Sequence, residues 1–213
     1  QDSHFTDNSA QNGTGTAIST TQFDTVTIDG SSFAGHVGSS GTLFLADTQG
    51  TIRISNSHFQ DNIMKYSGGA INGQGNIYVT GSTFDNNQSG STGGAVYASF
   101  FNELSVTDCT FTGNSAMYGG AVGVQYLYYS TEYSDVPVNV EISSSTFTSN
   151  SVLDGGDGSV FACMGFDDTP FFTFTFDDSN EMNDKETKLT VMNMTRQTFL
   201  HSLLLVSFVE LWL

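Results

Sequence analysis

The sequence predicts an all-β chain folded as a right-handed parallel β-helix of about six coils. Three observations carry that expectation. Phenylalanine recurs at Phe5, Phe33, Phe59, Phe84, Phe111 and Phe147, at spacings of 28, 26, 25, 27 and 36 residues, a repeat of solenoid length. Within each repeat apolar residues alternate with polar ones, so the unit is built of strands and not helices. Counted from each Phe, apolar residues fall at −7 and −5, a small residue at −2 and an asparagine at +3. One such unit cannot bury its apolar face alone, whereas stacked units place Phe on Phe and Asn on Asn. Each coil then advances the axis by one strand spacing, ~4.8 Å.

Taken in order, Ser3, Phe5 and Asn8 form the back half of a first copy. Val26, Ile28, Ser31 and Phe33 form the second, where His36 is the one break in the asparagine column. Ile52, Ile54, Ser57, Phe59 and Asn62 follow, then Ile77, Val79, Ser82, Phe84 and Asn87. Leu104, Val106, Cys109, Phe111 and Asn114 come next, and Val140, Ile142, Ser145, Phe147 and Asn150 complete the set. The Asn residues at +3 are expected to form an amide ladder along the axis, satisfying turn carbonyls as they go. A second motif alternates with the first: Gly68-Gly69-Ala70-Ile71, Gly93-Gly94-Ala95-Val96 and Gly119-Gly120-Ala121-Val122. Ser40-Gly41-Thr42-Leu43 and Asp157-Gly158-Ser159-Val160 read as worn copies of it.

FxxN alternating in phase with GGA(I/V) resembles the repeats of the chlamydial polymorphic outer-membrane proteins and, more broadly, the pectin-lyase-like β-helices. The resemblance covers residues 3 to about 162. It implies a secreted, surface-displayed passenger used in adhesion. It also brings the polysaccharide lyases and hydrolases of the wider superfamily into consideration.

At 213 residues one domain is the natural count. Twenty-two acidic against five basic residues give a net charge of −17. Such a surface repels nucleic acid and anionic membrane, and it favours solubility and the attraction of cations. Ser, Thr, Asn and Gly fill the outward positions, a polar uncharged coat that suits an extracellular or cell-surface solenoid. Cys109 and Cys163 are expected as buried free thiols, not a disulfide. The chain starts at Gln1 and mid-coil, which reads as a processed or cut product. Of three sequons, Asn12-Gly-Thr14 is the more accessible glycan acceptor, Asn87-Gln-Ser89 points inward, and Asn193-Met-Thr195 is the third.

The regular part gives way after Val122. Two insert loops, 123–139 and 163–188, are expected to leave one corner of adjacent coils within the β-helix domain of residues 1–198. The first carries Tyr126, Tyr128, Tyr129, Glu132 and Tyr133, the chosen binding residues. Tyrosine faces stack on sugars or anchor protein partners at low entropic cost, and long loops on a repeat scaffold are where function tends to sit. The second insert is acidic, with Asp167, Asp168, Asp177 and Asp178 beside Phe172, Phe174 and Phe176. From Leu189 the repeat decays, with Arg196 where a Phe is due. Residues 199–213, FLHSLLLVSFVELWL, read as a capping helix or a truncated membrane anchor, being shorter than the ~20 apolar residues a spanning helix needs.

The chemistry of an enzyme is thinly represented. A lyase needs cations and a basic residue to abstract a proton, and the five basic residues are scattered. An inverting hydrolase needs two carboxylates ~6.5–9.5 Å apart, for which Asp167, Asp168, Asp177 and Asp178 are the weak candidates. No cofactor is expected; calcium at Asp154 and Asp157 is the one metal to consider, as clustered carboxylate and carbonyl oxygens suit a hard cation. An outward threonine ladder of the ice-binding kind is not found in the −6 column, Thr27, Arg53, Tyr78, Ser105 and Glu141. The first reading is therefore an adhesin-like or scaffold segment whose loops meet a cell-surface glycan or protein receptor. A lyase or glycoside hydrolase fragment and a purely structural spacer stand behind it.

Overall fold

The structure, a computed structural model, describes residues 3–125, 138–164, 172–177, 179–183 and 189–192. They form a parallel β-solenoid, and none of the described residues is helical. Every strand pairs in parallel with its counterpart in the next coil, Phe5 against Phe33, Phe33 against Phe59, Phe59 against Phe84 and onward to Phe147. Three walls result, of seven, eleven and six strands. The phenylalanine wall holds seven short strands, from His4–Thr6 to Glu181–Met182. The six-stranded wall follows the asparagine corner, from Ser9–Thr14 to Ser151–Asp157. The eleven-stranded sheet joins the glycine-motif strands to the Val/Ile strands. It is one sheet because Leu43–Ser55 and Ile71–Thr80 run through the corner unbroken. At either end a wall is incomplete among the described residues, so the closed coils are fewer than the six expected.

Packing inside follows the predicted ruler. Ile52 and Ile54, Ile77 and Val79, Leu104 and Val106, Val140 and Ile142 are buried in successive coils. The phenylalanine rings stack at 4.7–5.0 Å with planes 4–7° apart from Phe5 to Phe147. That spacing is the strand spacing itself, so ring stacking and backbone pairing enforce the same register. At −2 a second ladder forms. The Ser57 hydroxyl accepts the Ser31 N–H, that of Ser82 accepts the Ser57 N–H, and that of Ser145 accepts the Cys109 N–H, each at 3.1 Å. Cys109 fits the column, its thiol donating to the Thr107 carbonyl at 3.2 Å. Both Cys109 and Cys163 are free and buried.

The asparagine ladder has a fixed direction. Asn62, Asn87, Asn114 and Asn150 each donate Nδ2 to a phenylalanine carbonyl one coil back, at 2.8–3.1 Å. Each amide oxygen also accepts the backbone N–H of the column residue one coil back, at 2.9–3.4 Å. His36 does not break this column. Its ring is fully buried, with Nδ1 3.1 Å from the Asn8 backbone nitrogen and Nε2 3.1 Å from the Phe5 carbonyl oxygen. The two ring nitrogens take the places of an amide oxygen and an amide nitrogen.

Left-handed backbone brackets each phenylalanine strand. Three residues before the Phe stand Gly30, Asn56, Gly81, Asp108 and Ser144; two after it stand Asp7, Gly35, Asp61, Asn86, Gly113 and Ser149. All have φ between 49° and 68°, a region open to Gly and tolerated by Asn and Asp. The glycine motif needs its first two glycines for different reasons. Gly93 has φ +68°, whereas a Cβ on Gly94 would lie 2.0 Å from the Gly120 carbonyl oxygen.

Three expectations need correcting. Val122 pairs with Phe161, not Val160, so the last worn glycine motif sits one residue later, at Gly158-Ser159-Val160-Phe161. The acidic insert is not all insert: Phe172–Phe176 pairs with Val138–Ile142 as the next strand of the long sheet. Leu189–Met192 pairs with Phe161–Met164 and so belongs to the glycine-motif wall, while Arg196 lies outside the described residues. Met182 takes the phenylalanine place opposite Phe147, and Phe176 leans over instead, 5.8 Å away and tilted by 38°. One extra residue between Phe176 and Met182 hid this coil from the ruler. The tail of residues 199–213 lies outside the described residues. Among those described, no helix is long and apolar enough to cross a membrane.

Candidate functional site

Both long connectors depart from one corner. The strand Val122–Gln125 ends beside Phe161–Met164, with Gln125 opposite Met164, and the chain re-enters at Val138 and Phe172, which are also opposite each other. Two adjacent coils therefore interrupt their described strands at matching positions, Gln125 beside Met164 and Val138 beside Phe172. Tyr126, Tyr128, Tyr129, Glu132 and Tyr133 lie outside the described residues, as do Asp167, Asp168 and Asp178.

At the root of the first connector the structure adds a pair that sequence reasoning missed. Tyr97 stands opposite Gly123 and reaches past it, donating its hydroxyl to Gln125 Oε1 at 2.7 Å. Only 8% of Tyr97 is exposed, and burial raises its phenol pKa, so it stays a neutral donor. The available signal was positional. Tyr97 follows the Gly93-Gly94-Ala95-Val96 motif where the neighbouring coils carry Asn72 and Gly123.

A second polar group crosses the coils on the outer face of the long sheet. The Arg53 guanidinium sits 4.6 Å over the Tyr78 ring, and the Tyr78 hydroxyl donates to Glu103 Oε2 at 2.5 Å. The carboxylate raises the Tyr78 pKa, chiefly through that hydrogen bond. Cation, ring and carboxylate satisfy one another along three coils, which staples the face more than it offers open valences to a ligand. Arg53 and Tyr78 belong to the −6 column, which sequence reading weighed only for threonine, and Glu103 stands two residues before its next member, Ser105.

The acidic candidates are placed as follows. Asp177 takes the Ser179 N–H at 3.1 Å and the Asn180 amide at 3.3 Å, with the Ser179 hydroxyl also donating to it. It is thus the anchor of a turn. Asp157 accepts the Gly158 N–H at 2.8 Å, and Asp154 is exposed on the same strand. Among the described residues no three His, Cys, Asp or Glu side chains are grouped to hold a metal ion. His58 Nε2 meets Gln60 at 3.2 Å and its Nδ1 contacts Thr83, on the outward side of the phenylalanine wall. An opening of about 310 Å³ is lined by Phe5, Ile18, Ile28 and Phe33.

No curated protein and no solved structure matches the chain. The Chlamydia polymorphic membrane protein repeat matches it twice, over residues 81–99 and 108–125. Each match starts on a left-handed corner residue, Gly81 or Asp108, and runs through Phe, Asn and the glycine motif to the end of the following strand. Residues 81–99 and 108–125 are thus similar to the repeats of those membrane proteins.

Proposed function

We propose that this chain is an extracellular or cell-surface β-solenoid segment, a scaffold that presents adhesive loops to a glycan or protein receptor. The observation that carries the reading is the shared corner: the strands stay paired in parallel on either side of it, yet two consecutive coils open there, after Gln125 and after Met164. The repeat it shares with surface proteins supports the location. Tyrosines of the 126–137 connector supply flat amphipathic contact area, with Tyr97 and Gln125 bracing its base. The pectin-lyase-like likeness is read as architecture and not as catalysis, because Asp177 is spent on its own turn.

The test replaces residues 125–136 with a short Gly-Ser turn and assays the folded variant on glycan arrays and on cells. Loss of binding with an unchanged denaturation midpoint is the expected result. Retained binding moves recognition to a strand face such as that of Arg53 and Tyr78. Release of reducing or unsaturated ends from uronate polymers by the purified chain, abolished by Asp167→Asn with Asp168→Asn, would replace the scaffold reading with the enzymatic one.

A further inference from the structure

We infer that His36 is an acid-sensitive latch that holds the first coil onto the rest of the solenoid. Both ring bonds of His36 go backwards, to the Asn8 N–H and the Phe5 carbonyl, and none goes to the coil that follows. Because Nδ1 faces an N–H it must be the acceptor, so the proton sits on Nε2, which donates to Phe5. Protonating Nδ1 would set two donors against each other beside a buried ring. An asparagine in the same column makes equivalent bonds with no titratable atom, as Asn62 does toward Phe33 and His36. His36 alone among the six column residues from Asn8 to Asn150 can therefore respond to pH in the physiological range.

The charged groups around it are few. Asp7 from the coil below faces the ring and favours its protonated form, while Asp61 occupies the equivalent corner position of the coil above. The Phe5 carbonyl also favours the cation, but burial outweighs both and holds the imidazole below its ordinary pKa of 6.5. A histidine whose folded pKa is depressed contributes stability that is complete above 6.5 and declines as pH falls through that value toward the folded pKa. The loss is local, since the coils from Phe59 onward are tied by asparagine. Undocking the first coil would bare the edge of Ser32–Ala34 and widen the opening beside Ile28 and Phe33.

Hydrogen exchange of the purified chain, corrected for intrinsic rates, reads this coil by coil at pH 7.5 and 5.0. Protection of the amides of residues 4–14 should fall at pH 5.0, below the ordinary histidine value of 6.5. Amides of residues 77–116 should hold steady. His36→Asn should keep the fold and remove the difference, since the same bonds are made by an amide. The inference is overturned if the first coil is equally protected at both pH values, if protection falls alike in every coil, or if the asparagine variant keeps the pH response.

Discussion

The middle coils and the last described coil obey the same repeat and differ in how far it holds. From Phe33 to Phe111 the rings stack at 4.7–5.0 Å and within 7° of parallel, flanked by the serine and asparagine ladders. In the last coil Met182 stands in the phenylalanine column and Phe176 tilts in at 38° to fill the space. Asn180 compensates on the hydrogen-bond side, its amide oxygen accepting the Ser145 N–H at 2.9 Å in place of a serine hydroxyl. The difference teaches that the polar ladder tolerates a change of residue type if donors and acceptors are kept, whereas the aromatic column tolerates it only with a loss of alignment. His36 makes the same point from the other end.

The largest effect should come from the aromatic column. Phe84→Ala removes a fully buried ring from between Phe59 and Phe111 and should cost about 3–5 kcal/mol. Met182→Ala, at the half-buried end of the same column, should cost distinctly less. Urea midpoints of the two variants measure the contrast, and equal shifts would break it.

Next comes the amide ladder. Asn87→Ala removes the side-chain donor to the Phe59 carbonyl and one of the two bonds made by the Asn62 amide and by the Asn114 oxygen, at about 1–3 kcal/mol. Asn87→His should recover part of that loss above pH 7 and lose it again in acid, which denaturation at two pH values would show.

Crowding and conformation can be separated at two glycines. Gly94→Ala drives a Cβ against the Gly120 carbonyl and the Ser115 N–H, and should cost about 1–3 kcal/mol of overpacking. Gly155 has φ +79° but nothing within 4 Å, so Gly155→Ala should cost only the left-handed penalty, about 1 kcal/mol. Thermal melts of both variants would expose an inverted order.

The smallest effect is expected at Cys109. Burial pushes its thiol up to about 11, so it should resist a thiol reagent at pH 8 in the folded chain and react once unfolded. Cys109→Ser restores the column's usual residue and keeps a donor for the Thr107 carbonyl, so it should change stability by less than about 1 kcal/mol.

Much of this architecture was legible because its columns repeat one residue type. Phe and Asn mark their places so regularly that the walls and their order follow from spacing alone. The left-handed corners were hidden for the opposite reason. Asp7, Gly35, Asp61, Asn86, Gly113 and Ser149 share a backbone conformation but not a side chain. The last coil was missed because one added residue breaks a fixed ruler, although Phe174 and Phe176 still alternate. Of the candidate site, its position on the scaffold could be read from connector lengths. Tyr97 could not, because nothing local distinguishes an outward strand residue that braces a loop from one that meets solvent.

The stacking direction also sets how the molecule answers force. Every strand lies across the solenoid axis and bonds only to the coils before and after it. Tension along the axis therefore pulls those bonds open in line, one interface at a time, and does not shear a whole wall at once. A released coil of about 25 residues pays out roughly 80 Å of chain at ~3.3 Å per residue, in exchange for ~4.8 Å of folded height. Under such a load the solenoid lengthens in steps of one coil.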